Sequence, residues 1–174
     1  MPHIVKDPLL TATTAATVLA RIALVIGMIG LTATLAATLF RPDLLETHVL
    51  VGIGSGRRDN IPALAFVMVA LTIAAFALLY DFAARLAQII ATVGHGDPFT
   101  LANAARLKRM AWLAVTVQAI NISQSLMSTY VSRDGFSMDV HVSLTGLAVG
   151  LVLFILARVF RHGAAMREDL DGTV

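Results

Sequence analysis

An all-α, polytopic membrane four-helix bundle is the fold the sequence predicts, and three observations predict it. The 174 residues are 57% apolar and only 14% charged, where an ordinary soluble domain carries about 25% charged residues. Mean hydropathy is +0.81. The apolar residues are also gathered into four long runs. Such a composition excludes a disordered chain, and a soluble fold of this size could not hide so much apolar surface beneath a polar exterior. With no Cys in the chain, a disulfide scaffold, a thiolate metal site and a Cys nucleophile are excluded too. The length suits one domain, 1–174.

A bilayer core about 30 Å thick calls for roughly 20 mostly apolar residues per spanning helix. Runs at about 22–40, 61–80, 110–130 and 142–160 meet that need. The first three carry no charge, and the fourth carries only Arg158 near its end. Helices are expected rather than a barrel, because the runs lack the alternation of a membrane strand and a helix satisfies its own backbone in lipid. The first run exceeds the roughly 7–15 apolar residues of a cleavable signal peptide, so an uncleaved anchor is expected. The Ala- and Thr-rich segment before it should extend the first helix beyond the membrane, with Arg21 snorkelling to the headgroups.

Orientation follows from Lys and Arg in the connections. The N-terminal arm, the middle connection and the C-terminal end hold nine of them; the two remaining loops hold four. Both termini and the middle connection are therefore expected on the cytoplasmic side of the membrane. The sequence pI near 9.5 reads as a topogenic signal. Direct nucleic-acid binding is not expected, since that needs a dense basic face.

In the first loop, Gly52, Gly54 and Gly56 lack the strand, helix and Lys-Ser/Thr ending of a phosphate cradle, so a turn is expected there. Its β-branched stretch near 49–53 and the period-two alternation of 136–142 could pair into a small extracytoplasmic sheet capping the bundle. His48, Asp139 and His141 would then lie close enough for a metal site or proton sensor. Solvated or locally bonded side chains are the simpler reading, and no metal and no cofactor is expected.

The middle connection is the most informative. Phe82, Leu86, Ile89, Ile90 and Val93 recur at helical spacing, so the second helix should continue past the membrane. Gly94, Gly96 and Pro98 break it. Thr100 stands where an N-cap would hold the next helix, and Asp97 suits its dipole. Helices two and three should thus project as a hairpin, with Arg106, Lys108 and Arg109 near the inner headgroups. Asp81 and Arg85 are spaced as an i,i+4 pair.

Gln118, Asn121, Ser125 and Ser128 fall on one stripe of the third helix, about 80° wide at 100° per residue. Gln124 lies on its flank. Unpaired amides are costly in lipid, so the stripe should face other helices; polar glue and a hydrated cavity both remain open. Gly146 and Gly150 form Gly-x-x-x-Gly in the fourth helix, and Gly30, Thr34 and Thr38 repeat at the same spacing in the first. Both patterns suit close helix approach within the bundle, and a homo-oligomer also remains open. No Asp, Glu or Lys lies inside a run, which argues against ion-coupled transport. No catalytic motif is present, and an enzyme is not expected.

Two stretches resemble a known family. Gly96-Asp97-Pro98-Phe99-Thr100, with Asn103-Ala104 and Arg106-Leu107-Lys108-Arg109, is one. Phe160-Arg161-His162-Gly163, Met166-Arg167-Glu168-Asp169-Leu170 and Thr173-Val174 make the other. Together they resemble domain-of-unknown-function family 2975, small bacterial membrane proteins with four helices, from about Ala15 to the end. Many members are encoded beside a small helix-turn-helix regulator of the Cro/repressor type. The resemblance therefore implies a non-enzymatic sensor or anchor that binds such a regulator through Gly96, Asp97, Pro98, Phe99, Thr100, Asn103 and Arg106, with the tail from Gly163 alongside. An oligomeric channel for small solutes, and a structural or immunity-type partner of another membrane protein, are the alternatives.

Overall fold

The computed structural model describes residues 8–40, 61–94, 98–131 and 144–171. Four helices fill them: α1 Pro8–Phe40, α2 Ile61–Gly94, α3 Leu101–Val131 and α4 Leu144–Asp171. Among the described residues there is no strand. The expected sheet cap and the trio His48, Asp139 and His141 lie outside them.

Each helix outruns its apolar segment at one end. The 34 residues of α2 make a rod of about 51 Å at 1.5 Å per residue, well beyond a bilayer core of about 30 Å. Pro8 opens α1 and Pro62 sits in the first turn of α2, where a missing N–H leaves no gap in the helix.

Neighbouring helices run antiparallel. Arg21 of α1 meets Tyr80 of α2, and six residues on, Gly27 meets Phe76. Asn103 of α3 reaches Thr92 of α2, while Gln124 reaches Thr72. Phe99 meets Phe160 of α4, while Gln118 lies on Gly146. This up-down-up-down path gathers the start of α1, the α2–α3 elbow and the end of α4 at one end of the bundle.

Thr11–Ala37, Phe66–Val93 and Thr145–Glu168 are long and apolar enough to cross a membrane. The fourth expected span, on α3, is more polar. Even so, α3 follows α2 across that segment, from Thr92 at the elbow end to Met68 at the other, and so stands at the same height. Leu19, Ile22, Ile26 and Ile29 of α1, and Leu151, Val152, Ile155 and Val159 of α4, are all more than half exposed. Apolar ridges of this kind fit contact with lipid chains.

The core lies toward the elbow rather than at mid-height. Ile89 of α2, Leu107, Met110 and Ala111 of α3, and Leu153 and Ala157 of α4 form one buried cluster, flanked by Phe82, Leu86, Phe154 and Phe160. Small residues let α4 approach α3. A Cβ on Gly150 would sit 3.0 Å from Val115 Cγ2 and 3.5 Å from the Ala111 carbonyl. One on Gly146 would overlap Gln118 Oε1. The Gly-x-x-x-Gly pattern thus packs inside the bundle as expected. The α1 pattern does not at Gly30 and Thr34. Among the described residues nothing lies within 4 Å of a Cβ on Gly30, and Thr34 is exposed, bonding the Gly30 carbonyl of its own helix at 2.9 Å. The packing glycine of α1 is Gly27, where a Cβ would come 2.5 Å from Phe76 Cε1. Spacing alone could not distinguish these glycines, because the contact depends on where Phe76 stands.

Candidate functional site: the clasped elbow

The elbow is built from α2's last turns, the Pro98–Thr100 link and α3's first two turns. Thr100 caps α3: its carbonyl takes the first helical bond from Ala104 N–H at 3.1 Å, and its Oγ1 accepts the Asn103 backbone N–H at 3.2 Å. Such a cap satisfies one of the donors every helix start leaves open. The Thr100 N–H donates to the Pro98 carbonyl at 3.1 Å, closing a three-residue turn with Phe99 at its centre.

Asn103 is the hub. It is fully buried, so its amide must be satisfied internally. Nδ2 donates to Thr92 Oγ1 at 2.7 Å and to the Pro98 carbonyl at 2.9 Å. Oδ1 accepts from Arg106 Nη1 at 2.7 Å. Arg106 then donates from Nε to Gln88 Oε1 at 3.1 Å, and Thr92 passes its own proton to the Ile89 carbonyl at 2.7 Å. Two α2 side chains, Thr92 and Gln88, are thereby tied to Asn103 and Arg106 of α3. Asn103, expected on the contact surface, is inside the hairpin, and Arg106 is spent largely on holding it. Gly96 and Asp97 lie outside the described residues.

Phe99 turns the other way. Its ring is 44% exposed and rests on α4, with centroids 5.0 Å from Phe160 at a 45° tilt. Gly163 lies beneath it; a Cβ there would come 3.0 Å from Phe99 Cδ1. Phe160 and Gly163 belong to the second motif stretch, so the two stretches that carry the resemblance touch each other. Sequence reading missed Gln88 and Thr92 as partners. The available signal was only that Thr92 and Asn103 stand close on either side of the Gly94–Pro98 break.

About two helical turns from the clasp, charged and aromatic side chains share a common height. Arg21 Nη2 donates to the Tyr80 hydroxyl at 2.7 Å with its guanidinium 4.8 Å over the ring. Asp81 takes Arg85 through two contacts at 3.1 Å, and Arg109 Nε stands 3.6 Å away. The i,i+4 pair is therefore present, with an added cross-helix arginine.

The polar stripe of α3 divides. Gln118 is buried against Gly146. Ser128 donates to the Ser125 carbonyl at 2.8 Å within the helix. Asn121, expected to face another helix, is exposed. The flanking Gln124 makes the interhelical bonds instead, donating to the Met68 carbonyl at 3.1 Å and Thr72 Oγ1 at 2.8 Å. Among the described residues no three His, Cys, Asp or Glu side chains converge as metal ligands.

The profile of the family described as "Protein of unknown function (DUF2975)" matches residues 48–174. That is most of the chain, including the elbow and the α4 seat, and the chain belongs to this family. The match starts later than the resemblance from Ala15 and leaves α1 outside. A search of curated proteins and of solved structures finds no match.

Proposed function

We propose, from membership of the DUF2975 family as premise, that the chain is a non-enzymatic bacterial inner-membrane protein whose elbow end anchors and regulates a small cytoplasmic helix-turn-helix protein. The observation that supports this reading is the junction of the two motif stretches. Phe99 joins the elbow to Phe160 and Gly163, and is left almost half exposed at the end of the bundle where α1 starts and α4 finishes. Leu101 beside it is 58% exposed. An exposed aromatic-aliphatic pair on a rigid, internally bonded turn is suited to protein contact. The clasp holds that surface in shape, so Thr100, Asn103 and Arg106 position Phe99 rather than touch the partner. The excess of basic residues in the connections at this end supports a cytoplasmic location for it.

The test is pull-down from native membranes under mild detergent. Wild type should enrich a small helix-turn-helix protein, and Phe99→Ala with Leu101→Ser should lose it while melting within a few degrees of wild type. Equal recovery by both, or none by either, counts against the reading. A solute channel is less well supported, because Gln118 and Gln124 spend their amides on helix contacts.

A further inference from the structure

A groove of about 440 Å³ runs along α3 and across to α4, away from the clasp. Leu101, Ala105, Lys108, Arg109, Trp112 and Arg161 line it. We infer that it is a binding site for the headgroup of an anionic phospholipid, held by Lys108, Arg109 and Arg161 with Trp112 at the level where the acyl chains begin.

Charge is the first argument. Three cations border one groove, and among the described residues no carboxylate pairs with Lys108 or Arg161. Arg109 reaches Asp81 only at 3.6 Å, and Arg85 already holds that carboxylate through two contacts. Among the described residues the groove therefore keeps an excess of positive charge. Arginine and lysine together are well suited to a phosphate ester.

Height is the second. Lys108 is one helical turn, about 6 Å, from Trp112, and Trp112 stands at the start of the uncharged stretch of α3. Arg21 with Tyr80, and Asp81 with Arg85 and Arg109, mark the same height on the other helices. Amphipathic rings settle at this boundary, and basic pockets between helices there attract lipid headgroups. Trp112 is 57% exposed, and its ring is fixed edge-on against Phe154, with centroids 5.5 Å apart at 88°. One side of the ring thus packs on α4 while the rest faces the groove. A soluble acidic ligand would leave this apolar wall unused. The inference depends on the membrane setting; it shares Leu101 with the surface proposed for the regulator, but its test leaves Leu101 and Phe99 untouched.

Trp112 is the chain's one Trp, so it reports on the site directly. The full chain is placed in nanodiscs of phosphatidylcholine doped with acyl-brominated lipid. Brominated phosphatidylglycerol should quench Trp112 more strongly than brominated phosphatidylcholine. Lys108→Gln with Arg161→Gln should remove that preference, at about fivefold in apparent affinity per charge. Arg161→Lys should largely retain it. Arg158→Gln, which removes one charge from α4 outside the groove, should leave it intact, whereas Arg161→Gln alone should weaken it. Lys108 and Arg161 are exposed, so circular dichroism and gel filtration should not change in the double variant. Equal quenching by the two lipids in wild type would overturn the proposal, as would a preference that survives the double variant or falls equally with Arg158→Gln. Inorganic phosphate in undoped discs should leave the emission unchanged; a response matching that to phosphatidylglycerol would assign the groove to a soluble anion and overturn the lipid.

Discussion

The ring of Phe99 lies directly against the backbone of Gly163, so close that a Cβ on residue 163 would stand 3.0 Å from Phe99 Cδ1. This contact joins the elbow to α4 across more than sixty residues of chain. Glycine within a helix normally costs about 1 kcal/mol relative to alanine. Gly163 offsets that cost by giving Phe99 a seat.

That seat makes residues 99 and 163 energetically coupled. Gly163→Leu should destabilise the wild-type bundle by about 1–3 kcal/mol through overpacking, yet cost little in a Phe99→Ala background, where the ring is gone. A double-mutant cycle from thermal unfolding in detergent should show a coupling of about 1 kcal/mol or more. Additive effects would mean that the ring does not press on that site.

Two asparagines of α3 should behave oppositely. Asn103 is fully buried and satisfies four partners' worth of bonding through its side chain and N–H. Asn103→Ala strands Thr92, the Pro98 carbonyl and Arg106, and should lower stability by about 2–3 kcal/mol. Asn121 is exposed, so Asn121→Leu should change stability by no more than about 0.5 kcal/mol. The comparison is read from paired melting curves, and equal losses would refute the placement of Asn103 as hub.

Two glycines of α1 give a second contrast. Gly27→Val forces Phe76 or the whole of α1 to move, whereas Gly30→Val projects into open space. The first should loosen α1 from α2 by about 1–3 kcal/mol and weaken an engineered disulfide cross-link between the two helices. The second should not. A larger effect at Gly30 would point to a contact made by another molecule.

Side of the membrane can be read with one cysteine, because the chain has none of its own. Leu101→Cys, at the exposed start of α3, should react with an impermeant maleimide only after the inner membrane is opened. Labelling in intact spheroplasts would reverse the orientation expected from the basic connections.

Long uncharged runs at 61–80 and 110–130 already announced two of the helices, because lipid-compatible backbone must bond within its own segment, and apolar spacing beyond Tyr80 announced the extension of the first of them. Thr100 was readable as a cap for a similar reason: its partners lie within one turn of it. Asp81 and Arg85 share one helix face and were equally plain. Local spacing could not show that Asn103 turns inward, that Asn121 is left out, or that Gly27 rather than Gly30 packs. Those outcomes depend on how far each helix is rotated toward its neighbours. The same holds for the groove between Lys108 and Arg161, which are far apart in the chain and become neighbours only when α4 docks on α3.

Composition and period therefore settled the class, the number of helices and the position of the elbow, since each is a property of a continuous stretch in its solvent. Only the packed bundle decided which polar side chains became structural bonds and which stayed on the surface, because a partner is chosen by the distance and rotation between helices, and neither is written in any single segment.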